Sequence, residues 1–125
     1  MYTTNINQKV TQVNLLADER SIENLKLGIM AFETLEEDTL FPSELKPGFY
    51  LICRQDTAEC KTDNYHVSLN KLIEKKYMNK IPVHSVYADS LTTGFVLHYD
   101  NNSEPIILTT AALNVILKRE APVLN

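Results

Sequence analysis

From Phe49 to Arg54 the chain reads FYLICR, and neither alternating set of that strand is polar: Phe49, Leu51 and Cys53 oppose Tyr50 and Ile52. An antiparallel sheet with one wet face alternates apolar with polar residues. A strand apolar on both sides therefore requires cover on both sides, which calls for packed layers and rules out a bare hairpin. The cover is available in the same chain. Ile22, Leu25, Ile29, Phe32 and Leu35 recur at helical spacing, with Glu23, Lys26, Glu33 and Glu37 opposite, and predict a helix from Asp18 or Ser21 to about Asp38. Phe41-Pro42-Ser43 ends that pattern, because proline disfavours helix at the preceding residue.

Ser68 caps a second predicted helix, Leu69 to about Lys80, with Leu72, Ile73 and Tyr77 on its stripe. Val83–Ala88, Phe95–Asp100 and Ile106–Thr109 read as strands, separated by segments rich in turn formers. Cys60–Val67 reads as a return strand pairing with Phe49–Arg54 across a hairpin loop. The last predicted helix, Thr110 to about Glu120, is capped by Thr109 or Thr110 and is apolar almost all round, which predicts burial on several sides. The expected fold is thus a single α+β domain over 1–125, in the order α-β-β-α-β-β-β-α, with about five mainly antiparallel strands and three helices. Residues 1–16 read as an edge strand or an arm, and 121–125 as a tail.

Charge along this framework is uneven. The net charge of −4 hides a segment from Ala17 to Leu45 that carries eight carboxylates against Arg20 and Lys26. Glu33, Glu36, Glu37 and Asp38 crowd the predicted helix C-terminus, where each meets the negative pole of the helix dipole at a cost of roughly a few tenths of a kcal/mol. A feature that the helix does not need points to a partner. Leu27 and Met30 fall outside the core stripe and read as apolar anchors beside the carboxylates.

Other chemistries find little support. Cys53 and Cys60 lack the close spacing of zinc ligands, and no H-E-x-x-H motif accompanies His66, His84 and His98, so no metal is expected. No nucleophile elbow occurs. Three glycines, Gly28, Gly48 and Gly94, supply no phosphate-cradling loop, so no nucleotide cofactor is expected. The acidic chain disfavours duplex nucleic acid. No apolar run reaches the roughly 18 residues of a membrane span, and Met1–Gln12 has no leader-like apolar core, which predicts a cytosolic protein with both cysteines as free thiols unless they face each other across a hairpin.

The expected function is a non-enzymatic cytosolic protein-binding module, of the inhibitor, immunity or adaptor/chaperone kind. It would dock a basic partner surface through Glu33, Glu36, Glu37 and Asp38 with Leu27 and Met30. One alternative is a small-ligand domain or minor enzyme with a pocket of Tyr50, Arg54, His66, His84, Tyr87, His98 and Tyr99. Another is a subunit of a homodimer or larger homo-oligomer joined through Leu113, Ile116 and Leu117.

Overall fold

The computed structural model describes residues 2–100 and 104–120, with side chains over 14–100 and 104–118. It is an α+β fold of three helices and a four-stranded mixed sheet: α1 (Tyr2–Leu35), β1 (Gly48–Cys53), β2 (His66–Val67), α2 (Asn70–Glu74), β3 (Thr92–Tyr99), β4 (Ile106–Thr109) and α3 (Thr110–Glu120). The spatial order is β2-β1-β3-β4. β3 pairs antiparallel with both β1 and β4, while β2 runs parallel to β1.

The register sorts the two faces. Tyr50 lies opposite Leu97, and Ile52, Phe95 and Ile107 join them in one core with Leu25, Ile29 and Phe32 of α1 and Leu69 and Leu72 at α2. Each large apolar side chain buried there contributes about 1.5–3 kcal/mol, which explains why the α1 stripe is obeyed from Leu25 to Phe32. The other face carries Phe49 opposite His98 and Leu51 opposite Val96. Val96 is buried and Phe49 stacks on His98 at 4.5 Å, but Ile106, opposite His98, remains 46 % exposed.

Several elements depart from the sequence expectation. Residues 7–16 continue α1, because no glycine precedes Gly28 and no proline precedes Pro42, so nothing breaks the helix; it ends at Leu35 and not at Asp38. Leu35, expected on the buried stripe, is 69 % exposed. The Cys60–Val67 strand shrinks to His66–Val67 and pairs parallel, so 54–65 is a crossover and no hairpin forms. Cys53 and Cys60 are joined in a disulfide that pins this crossover to the end of β1, in place of the free thiols expected.

The second helix stops at Glu74, well short of Lys80. Lys76 adopts φ 64°, and the amides of Tyr77 and Met78 both donate to the Leu72 carbonyl. The turn delivers Tyr77 edge-on to Phe32 at 5.7 Å and Met78 against Gly28, so tertiary packing overrides helical spacing. Val83–Ala88 is not a strand. His84 Nδ1 accepts the amides of Val86 and Tyr87, at 3.0 and 3.2 Å, and winds the chain into a turn that leaves Val83 and Val86 exposed. The sheet consequently has four strands instead of five.

The α3 boundaries agree with the sequence, and Thr109 Oγ1 caps the helix by accepting the Ala112 amide at 3.1 Å. Its burial does not agree: Val115 and Leu117 are 50 % and 47 % exposed, because α3 leans chiefly on β3 and β4. No helix among the described residues is long and apolar enough to cross a membrane.

Candidate functional site

After Leu35 the chain leaves the helix and tucks back under it. Asp38 Oδ1 accepts the Thr39 amide at 2.8 Å, and the turn drives Leu40 and Phe41 into the core. Phe41 meets Tyr99, the last residue of β3, edge to face at 5.2 Å. Between α1, this turn and the chain leaving β3 lies a groove of about 460 Å³, lined by Glu33, Asp38, Phe41, Pro42, Tyr99 and Asp100 among others. That volume falls in the range of roughly 300–1,000 Å³ typical of ligand sites. Two rings and three carboxylates, with no lysine or arginine among the described residues of its lining, make it an electronegative groove with an aromatic wall.

Electrostatics bear this out group by group. Glu33 stands exposed at the rim, yet the surrounding protein displaces enough water to raise its carboxyl above the usual range. The Tyr99 hydroxyl is also pushed up, first by burial and then by the charges of Glu33, Tyr50 and Asp100. Asp38 is held below the usual range, first by the Thr39 amide and then by Lys71. No ion pair involves Glu33 or Glu37 among the described residues.

The remaining carboxylates of the acidic end have partners inside the chain. Lys71 Nζ reaches Asp38 Oδ2 at 3.3 Å and donates to the Thr39 carbonyl at 2.7 Å, while Lys75 lies 3.8 Å from Glu36. Glu36 also touches Tyr77, whose hydroxyl is raised by burial first and by Glu36 second. These pairs are solvent-exposed, so each is worth no more than about 1 kcal/mol. Among the described residues of the acidic end, Glu33 and Glu37 are left without an ion pair.

The structure divides the patch expected from sequence. Leu27, 53 % exposed, lines a second groove of about 570 Å³ with Gly28, Ala31, Tyr77, Met78 and Pro82, away from the Glu33–Tyr99 groove. Met30 is half-buried, and its carbonyl accepts from Thr34 Oγ1 at 2.8 Å.

Nor are the seven residues of the alternative pocket gathered. Tyr50 is buried, its hydroxyl donating to the Lys46 carbonyl at 2.5 Å, and shares the groove end of the sheet with Tyr99. His84 contacts Tyr87 at 4.6 Å, at the end of β3 where the strand begins. His98 stacks on Phe49, His66 lies 3.3 Å from Asp63, and Arg54 donates to the Asp89 carbonyl at 2.9 Å. Among the described residues no group of three or more His, Cys, Asp or Glu could hold a metal ion.

Sequence reasoning missed Phe41 and Asp100 in the groove and Asp18 in the fold. Asp18 reads as a helix cap, but α1 starts far upstream and the carboxylate serves another purpose: Oδ1 accepts the Ser85 amide at 3.0 Å and Oδ2 the Ser85 hydroxyl at 2.6 Å. His84 Nδ1 accepts two amides and is therefore unprotonated, so its proton sits on Nε2, which faces Asp18 Oδ2 at 3.4 Å. The buried Leu40-Phe41 pair beside Pro42 is the trace that Phe41 leaves in the sequence, since two apolar residues in a turn need somewhere to go. Comparison of the chain with protein-family models, with curated proteins and with solved structures finds no match.

Proposed function

We propose that this protein is a non-enzymatic binding module, of the inhibitor, immunity or adaptor/chaperone kind, that docks a basic partner surface through the acidic end of α1. The observation that carries the reading is the uneven compensation of charge there. Lys71 and Lys75 answer Asp38 and Glu36, whereas Glu33 and Glu37 have no cation among the described residues, and Glu33 borders an aromatic-walled groove. Complementary charge of this kind speeds encounter and selects partners more than it adds affinity. The test is capture of a stoichiometric partner from the native host, followed by association kinetics with Glu33→Lys/Glu37→Lys. The reversal slows association by about tenfold or more at low salt and flattens its salt dependence; an unchanged on-rate overturns the reading.

A second reading, the homo-oligomer, rests on the half-exposed Val115 and Leu117 of α3, beside Leu113 and Ile116. Light scattering across a concentration series tests it, and a strictly monomeric protein removes it. The cytosolic location expected from sequence belongs to the first reading, and the Cys53–Cys60 bond pulls against it, since disulfides persist in oxidising compartments. Rapid alkylation of thiols in freshly lysed cells decides between the two settings.

A further inference from the structure

Resting on the docking reading above, we infer that the Glu33–Tyr99 groove is an arginine receptor: it takes the guanidinium of an arginine side chain presented by the partner protein. Three features converge on that group. The groove has an aromatic wall of Tyr99 and Phe41, held at 65° to each other, and a planar, weakly hydrated guanidinium packs on aromatic rings more readily than a compact, strongly hydrated ammonium. Carboxylates of Glu33, Asp38 and Asp100 line the same groove, and the fork of guanidinium N–H groups matches a carboxylate two bonds at a time.

The third feature is the occupancy of the rim. Lys71 already brings its ammonium to Asp38 Oδ2 and the Thr39 carbonyl, so the Asp38 carboxylate is served by a cation of this chain. Glu33, which lines the same groove, is partly dried and has no cation among the described residues, which is the condition under which an incoming one gains most. The competing ligands fit less well. A divalent metal lacks a cluster of three ligating side chains among the described residues. A nucleic acid or a free amino acid brings an anionic group toward Asp38 and Asp100. An arginine within a polypeptide brings none.

The experiment titrates the full-length protein, followed residue by residue by amide NMR, with three probes: acetyl-Gly-Arg-Gly-amide and its lysine and citrulline counterparts. The arginine peptide shifts the amides around Glu33, Phe41 and Tyr99 and binds at least about fivefold more tightly than the lysine peptide, while the citrulline peptide, uncharged, does not bind. Glu33→Gln weakens the arginine peptide by about tenfold. Tyr99→Leu does likewise, with unchanged spectral dispersion showing that the fold persists. A lysine peptide binding as tightly as the arginine peptide, shifts mapping elsewhere, or an affinity indifferent to both substitutions overturns the arginine receptor. In each of those cases the docking reading still stands on its own test, the association rate of Glu33→Lys/Glu37→Lys with the captured partner.

Discussion

Asp18 and Glu33 are carboxylates on the same helix, fifteen residues or about 22 Å apart at roughly 1.5 Å per residue, and the protein uses them in opposite ways. Asp18 is 8 % exposed, with both oxygens engaged by the Ser85 amide and hydroxyl and by His84. It ties α1 to the 84–87 turn and so to the start of β3. Glu33 is exposed, partly dried on one side, and has no ion pair among the described residues. A buried carboxylate whose acceptors are filled is a fastening of the fold. One that loses water without gaining a cation costs the fold something and leaves an attraction for a partner to satisfy.

The comparison breaks first, and hardest, at the Asp18 end. Gly94 sits at φ +81°, and a Cβ there would meet the Tyr87 carbonyl carbon at 2.7 Å and the Ala88 nitrogen at 2.8 Å, both backbone atoms that cannot swing aside. Gly94→Ala is expected to destabilise by about 3 kcal/mol or more, read as a lower urea midpoint, because it forces the 84–88 turn off β3. Next comes Asp18→Ala, which strips the Ser85 amide and hydroxyl and His84 Nε2 of their acceptor at a cost of about 2 kcal/mol. An Asp18 variant as stable as the parent would show that the fastening is incidental.

At the other end the expected sign reverses. Burial raises the folded-state titration of Glu33 above its unfolded value, so the folded chain prefers this group protonated. Stability therefore declines as pH rises through the Glu33 titration, and Glu33→Gln, which cannot ionise, is neutral or slightly stabilising, within about 0.5 kcal/mol. A clear loss of stability in that variant would place Glu33 with Asp18 as a fastening.

The smallest effect is a background slope of the opposite direction. Asp89 is held low by the Thr92 and Leu91 amides, Asp63 by the Tyr65 and His66 amides, and Asp38 by Thr39 and Lys71. Their stabilisation is present above the unfolded aspartate value of about 4 and is lost as pH falls through the lower folded-state values. Thermal melts between neutral pH and pH 3 should show that loss, and Asp89→Asn should make the slope shallower.

The fold was legible where burial and local preference agree. Leu25, Ile29 and Phe32 follow the 3.6-residue period because the sheet lies beneath them, and Thr109 caps α3 with its own side chain. Legibility failed where a distant side chain redirected the chain. His84 curls 84–87 into a turn although the Val-rich segment has strand composition, and Phe32 and Gly28 draw Tyr77 and Met78 off the helical path. The carboxylates of the candidate site were visible as a charge run, but Leu27 belongs to another groove, Phe41 shows only as an apolar residue stranded in a turn, and Asp100 carries no local mark of the groove it lines.

What the sequence by itself determined is the class of the fold, the strand with two apolar faces, and the concentration of negative charge at the end of the first long helix. These depend on periodicity and composition, which act over a few residues. Only the tertiary structure decided which carboxylates are neutralised by Lys71 and Lys75, which one fastens α1 to the sheet, and which borders the Tyr99 groove. Those outcomes depend on contacts between residues 30 to 70 positions apart in the chain, and no local pattern encodes a distance that only packing sets.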